Sequence, residues 1–337
     1  MIGTRREFLT KGMAAATATA IFPKTATGIT DAKSQASPEA ILAPFKSLPG
    51  EVAVKIYSPN VAGKPELLVQ MNSAKQLFVG SAFKSFVLCE ALRQADSPDV
   101  LKTIKTRQLD LDASVWSLDS AIFNPPNLIG KVSERTALEA MIMHSDNTAT
   151  DMCLKYAGPE QVREFIASIG LKSAMIPDST RSFFGYMLGA KDYKSFTWDE
   201  LCAAANQPVV NKPLNDVATL ACSADDLVSY YSRALQGEFF KHDATLNVFR
   251  EILSIGDAIW LLPVPLGASA FSKGGNIDVE GFHALCAPGA MMFDDRWVYF
   301  CLTINWNAAE KRDPKTAQAF ASAGSRALAM VKDALSG

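Results

Sequence analysis

The hydrophobic period changes twice along this chain, and those two changes constrain its fold more than any other feature. Glu51 to Tyr57 alternates apolar and polar residues, and Pro65 to Met71 does so less cleanly, with a turn over Asn60 to Lys64 between them. Both segments read as strands. From Ser81 to about Gln236 the spacing becomes helical, as in Ser81 to Arg93, Ala137 to Tyr156, Pro159 to Ile169 and Ala224 to Leu235. Beyond Pro263 strand patterns return at Ala268 to Lys273, Gly281 to Ala287 and Trp297 to Ile304. A helix over Pro38 to Leu48, with Ser37 as its N-cap, precedes the first strand, and another from Pro314 to Leu335 follows the last. Strands this far apart in sequence share one sheet when the block between them packs alongside as an insertion. The expected fold is therefore α/β of the α+β type: an antiparallel sheet flanked by terminal helices, with a large inserted all-helical region. The sheet region covers 37–80 plus 251–337, the helical region 81–250, and a site is expected in the cleft between them.

The first 36 residues stand apart from that pattern. They carry five basic side chains (Arg5, Arg6, Lys11, Lys24, Lys33) against two acidic ones (Glu7, Asp31). The whole chain has 33 basic and 35 acidic residues, a charge of -2, so the remainder holds 28 and 33, a charge of -5. This balance gives no electrostatic case for nucleic acid. The run Thr4-Arg5-Arg6-Glu7-Phe8-Leu9, followed by the weakly apolar Met13 to Phe22, resembles a twin-arginine export signal. Ser34-Gln35-Ala36 offers a small-x-small cleavage site. Met13 to Phe22 is too short to span a bilayer. The expectation is a periplasmic or secreted protein, monomeric, without stable membrane insertion once residues 1–36 are removed, acting on a small molecule.

Six cysteines (Cys89, Cys153, Cys202, Cys222, Cys286, Cys301) are scattered, with no CxxC pair or nearby histidine cluster. No metal site and no organic cofactor is implied. Cysteines in apolar runs such as Phe300-Cys301-Leu302 are expected to be buried free thiols.

Three short motifs mark element boundaries. Ser81-Ala82-Phe83-Lys84 lies where the second strand pattern gives way to the first strong helix, placing Ser81 and Lys84 one turn apart on one face. Serine is a poor nucleophile until a neighbouring base takes its proton, and a desolvated lysine beside another cation can serve. Roughly one such SxxK match is expected by chance in a chain this long, so it gains weight only from its companions. These are Ser145-Asp146-Asn147, which also reads as a helix start, and Lys273-Gly274-Gly275, which also reads as a turn ending a strand.

In their order and placement, Ser81/Lys84, Ser145-Asp146-Asn147 and Lys273-Gly274-Gly275 resemble the SxxK, SDN and KTG set of class A β-lactamases and penicillin-binding proteins. The strand, helical block, strand order over about residues 38 to 336 resembles that superfamily too. The resemblance implies an exported serine hydrolase acylated on Ser81, with Lys84 taking the serine proton and Ser145 relaying it to the leaving group. It implies an oxyanion hole from the backbone N–H groups of Ser81 and Asn276, with Gly274 and Gly275 beside it. Asn147 would hold a substrate amide, Lys273 would attract a substrate carboxylate, and Asp146 would point inward as a structural partner. An esterase, amidase or D,D-peptidase on the same scaffold is the second enzymatic reading, and a non-catalytic binding protein is the contrasting one.

The sequence departs from the family pattern at two places. Class A enzymes carry a Glu-x-x-Leu-Asn loop whose glutamate directs the deacylating water; the nearest match here is Asn211-Lys212-Pro213-Leu214-Asn215, and an amide accepts no proton at neutral pH. Slow or non-standard deacylation follows, with Tyr186, Asp178 and Glu200 as candidate substitute bases. Gly274 also replaces the usual hydroxyl residue, and His283 in the next strand pattern is a candidate replacement donor. The stretch Asp178 to Pro208 is rich in aromatics (Phe183, Phe184, Tyr186, Tyr193, Phe196, Trp198), which suits either a small satellite core or the wall of an acyl pocket.

Overall fold

The structure is a computed structural model that describes residues 37–61 and 65–336. The segments read as an export signal and its cleavage site, and most of the Asn60 to Lys64 turn, lie outside the described residues. Among the described residues there are ten strands: β1 Glu51–Ser58, β2 Leu67–Met71, β3 Gln76–Phe78, β4 Gln108–Leu111, β5 Gly130–Ser133, β6 Ala221–Ser223, β7 Ser269–Ser272, β8 Gly275–Val279, β9 Phe282–Phe293 and β10 Arg296–Trp306. Six of them form one antiparallel sheet in the order β2-β1-β10-β9-β7, with β8 pairing β9 further along the same strand. The early strands therefore join the late ones through β1 and β10, which pair from Glu51↔Asn305 to Tyr57↔Tyr299. The mixed helix and antiparallel-sheet architecture expected from the pattern is the one observed.

Two apolar layers hold the sheet. On one face Val52, Val54, Ile56, Val298, Phe300, Leu302 and Ile304 pack against Ile41, Phe45, Phe320, Ala327 and Leu328 of the terminal helices. The alternate residues of those strands, such as Ala53, Tyr299 and Cys301, join the core shared with the helical region. Period-two alternation thus feeds both layers, as a sheet covered on two sides requires. The C-terminal helix spans Pro314–Leu335, with Asp313 accepting from Thr316 N at its start.

Several elements differ from the sequence reading for identifiable reasons. The N-terminal helix is capped by Ser37 but ends at Leu42, and the 3-10 turn Ala43–Phe45 contains Pro44, which has no N–H to continue an α-helix. Ser81 lies in a 3-10 turn, Gly80–Phe83, and the α-helix begins at Lys84. The segment expected as one helix from Ala137 to Tyr156 is two, Glu134–Met143 and Asn147–Ala157, broken where Ser145 takes a left-handed φ of 53°. Strand β8 and the small pairs β3-β6 and β4-β5 interrupt what read as turn or helix. Cys89, Cys153, Cys222, Cys286 and Cys301 are buried free thiols, and there is no disulfide among the described residues. Among the described residues, no helix is long and apolar enough to cross a membrane.

Candidate active site

The break at Ser145 builds the centre of the site. Asp146, fully buried, caps the Asn147–Ala157 helix by accepting from Ala149 N at 2.8 Å, while its other oxygen accepts from Ile122 N and Phe123 N at 2.9 and 3.0 Å. One carboxylate thus ties the helix start to the loop before β5, and Asp146 points inward as expected. Ser120 and Thr148 reinforce the same junction through Thr148 N to Ser120 Oγ at 2.8 Å. With Asp146 used as a cap, Ser145 on one side and Asn147 on the other project toward the lysines.

Lys84 is fully buried, and its Nζ donates to Ser145 O at 2.6 Å, Asn147 Oδ1 at 2.6 Å and Ser145 Oγ at 3.2 Å. None of these three bonds goes to Ser81, one turn earlier. Burial pushes the Lys84 pKa down to about 7, the nearby Lys273 charge pushes the same way, and Asp257, Asp146 and Asp151 oppose them. Lys273, also fully buried, reaches the same hydroxyl from the sheet side, Nζ to Ser145 Oγ at 3.1 Å. Its other bonds go to Asp257 Oδ2 at 2.7 Å, Asp257 Oδ1 at 2.9 Å and Gly274 O at 2.6 Å. Burial lowers its pKa and Asp257 offsets that.

Ser81 meets the sheet through backbone rather than side chain. A Cβ on Gly275 would stand 1.9 Å from Val79 O and 2.7 Å from Ser81 N, and one on Gly80, whose φ is +52°, would stand 3.0 Å from Asn276 N. Only glycine allows the Ser81 turn and the start of β8 to approach this closely. The N–H of Ser81 and that of Asn276 thus belong to two segments in contact, while the Asn276 side chain faces solvent. Gly274, Gly275 and Asn276 line a cavity of about 140 Å³ together with Asp257, Ala258, Leu261 and Leu285. Ser81, Lys84, Ser145, Asn147, Lys273 and the Gly274–Asn276 backbone are therefore gathered at one seam between sheet and helical region.

Other expectations are corrected. Asn147 does not offer its whole amide to the cleft, because Oδ1 accepts from Lys84 and Nδ2 donates to Leu118 O at 2.9 Å. Asp178 is paired with Arg163 at 2.8 Å and Lys194 at 3.1 Å, and Glu200 closes a capping box with Thr197. Neither touches Lys84, Ser145 or Lys273. Asn211 donates to Tyr186 O at 2.7 Å, and Asn215 folds its own turn by accepting from Val217 N and Ala218 N. Phe183 packs on Phe78 with ring centres 5.7 Å apart and joins the core shared with the sheet, with Phe184 against it, while Tyr186 packs on Tyr193 at 5.2 Å; part of the loop's aromatic set thus extends the main core rather than forming a separate one. His283 is fully buried, bonded to Asp278 at 2.8 Å and stacked on Trp306, and contacts neither Gly274 nor Lys273.

Asp257 is the site residue that sequence reasoning missed. It stands before the short helix Ala258–Leu261, and its neighbour Gly256 approaches β7 so closely that a Cβ would fall 1.7 Å from Ser272 O. That glycine is the one signal of the contact in the sequence. Asp151 is a second buried carboxylate near the seam. Burial raises its pKa to about 6, against the N–H groups of Thr180 and Arg181 that it accepts at 2.6 and 3.0 Å. Among the described residues, no group of three or more histidine, cysteine or acidic side chains is arranged to hold a metal ion.

A six-stranded antiparallel sheet under terminal helices, an inserted helical region and two buried lysines that meet at one serine hydroxyl belong to a serine hydrolase of the β-lactamase kind. The Beta-lactamase enzyme family model matches residues 39–326, and the chain belongs to that family. Among solved structures it is similar to the TLA-3 extended-spectrum β-lactamase (TM-score 0.67, 14% identity, covering 89% of this chain and 98% of that one). It is similar also to a class A β-lactamase from Mycobacterium abscessus (TM-score 0.64, 14% identity, 89% and 99%) and to PBP-A (TM-score 0.62, 16% identity, 88% and 95%). A variant of PBP-A has been captured as an acyl-enzyme complex with penicillin G. No curated protein matches the sequence.

Proposed function

We propose that this protein is an exported hydrolase that reacts with β-lactams through an acyl-Ser81 intermediate and releases the acyl group slowly. The observation that carries this reading is the shared hydroxyl of Ser145, 3.2 Å from Lys84 Nζ and 3.1 Å from Lys273 Nζ. A neutral Lys84 spends its two N–H bonds on Ser145 O and Asn147 Oδ1, which can only accept. Its lone pair is then free for a proton from Ser81 or Ser145. Lys273, donating to Ser145 Oγ, orients that hydroxyl so that its own proton points at Lys84 or at the leaving group. The Ser81 and Asn276 N–H groups serve the oxyanion.

Slow deacylation is supported by the fate of the carboxylates, since Asp178 and Glu200 are committed to Arg163, Lys194 and Thr197. Intact-mass spectrometry after mixing with a panel of β-lactams is the test. A persistent adduct, absent from a Ser81→Ala protein, is expected; rapid turnover with no adduct overturns slow release, and labelling of Ser81→Ala overturns the nucleophile. Export rests on Arg5-Arg6 and the following apolar run, and is tested by fractionating cells that express the full chain and an Arg5→Lys/Arg6→Lys variant. A monomer is expected by light scattering.

A further inference from the structure

We infer that Asp257 sets the substrate class: the pocket beside Lys273 takes an uncharged or cationic arm of the acylating substrate and disfavours one bearing a carboxylate. This rests on the acyl-Ser81 reading above. In the family that the chain belongs to, the lysine of the third motif is expected to attract a substrate carboxylate, and here that role is pre-empted. Lys273 has three N–H bonds and already faces four acceptors, Asp257 Oδ1 and Oδ2, Gly274 O and Ser145 Oγ, all within 3.1 Å. The adjacent backbone donor is taken as well, because Gly274 N donates to Asp257 Oδ1 at 2.8 Å.

The residue replaced in the motif fits the same account. A Cβ on Gly274 would lie 3.2 Å from Asp257 Oδ1 and 3.2 Å from Ala258 Cα, so a branched hydroxyl side chain there would crowd the carboxylate. The absence of a hydroxyl at 274 and the presence of Asp257 are two sides of one arrangement. Asp257 is not sealed away: its side chain keeps 26% of its exposure and lines the cavity whose other walls are Ala258, Leu261, Leu285 and the Gly274–Asn276 backbone. An arriving carboxylate would meet a like charge with no free donor on Lys273, whereas an ester, an amide or an ammonium meets an acceptor and apolar walls.

The test compares penicillin G with its methyl ester, which differ only at that carboxylate. Adduct formation on Ser81 is followed by intact mass, and each rate is divided by the compound's own rate with hydroxide. For the wild-type protein the ester is expected to react at least about tenfold faster than the acid, and Asp257→Asn is expected to shift the ratio about tenfold toward the acid. Preference of the wild-type protein for the acid overturns the inference, with no variant needed. So does an unchanged ratio in an Asp257→Asn protein that keeps its far-UV circular dichroism and melting transition. If neither penicillin nor a neutral activated ester such as p-nitrophenyl acetate labels Ser81, the acyl-serine reading itself fails. If the acid labels Ser81 faster, only the role of Asp257 fails.

Discussion

Lys84 and Lys273, one from the helical region and one from the sheet, meet at a single hydroxyl, Ser145 Oγ, at 3.2 and 3.1 Å. Two cations so close, both stripped of water, disfavour each other's charge. Of the two lysines only Lys273 is bonded to Asp257, so Lys84 is the one left poised to lose its proton, with a pKa of about 7.

Acylation of Ser81 is therefore expected to rise about tenfold per pH unit below about 7 and to level off above it. The same shift acts on stability. The unfolded chain keeps this lysine protonated up to about pH 10, so between about 7 and about 10 it binds more protons than the folded chain, and stability from this residue grows as pH rises. Stopped-flow acylation and thermal melting across pH 5 to 9 check both limbs, and Lys84→Met should remove both.

Ser145→Ala is expected to slow acylation by about 10²- to 10⁴-fold. Ser145→Gly is predicted to be as inactive but more stable by about 1 kcal/mol, because Ser145 holds a φ of 53° that glycine adopts freely. Measuring melting and acylation on the pair separates the hydroxyl from the backbone.

Gly275→Ala tests the seam between the Ser81 turn and β8. Its methyl would sit 1.9 Å from Val79 O, so the strand must withdraw and carry Asn276 N–H away from Ser81 N–H. A loss of acylation of about 10² or more is expected. Near-normal rates with penicillin-type probes would show that the two amides do not act together.

Asp146→Ala leaves the N–H groups of Ile122, Phe123 and Ala149 without their acceptor. At about 1–3 kcal/mol for each buried unpaired group, the protein should lose at least about 3 kcal/mol. Melting is expected to fall by roughly 6–12 °C, read by calorimetry.

How much of this was legible beforehand depends on whether the signal was local. Ser37 as a cap and Pro314–Leu335 as a helix are local matters of capping and period, and both hold. The motif residues stand at boundaries where the period changes, so their gathering could be anticipated from the family resemblance. Strand β8 was hidden because Gly274-Gly275-Asn276 reads as a turn, while its pairing with β9 is a tertiary fact. The helix break at Ser145 was half visible: Ser145-Asp146-Asn147 reads as a helix start, while the helical spacing from Ala137 to Tyr156 runs across it. Asp257 was hidden because nothing near it in sequence names its partner, sixteen residues on; the two are brought together where Gly256, with no side chain, packs against the Ser272 backbone.

The complete burial of Lys84 and Lys273 has a consequence for the molecule's history as well as its chemistry. A desolvated lysine is a liability to any fold, and apolar replacements of similar shape often stabilise such positions. A lineage of this chain released from its chemical task would be expected to drift toward Met or Leu at position 84 and to melt higher for it.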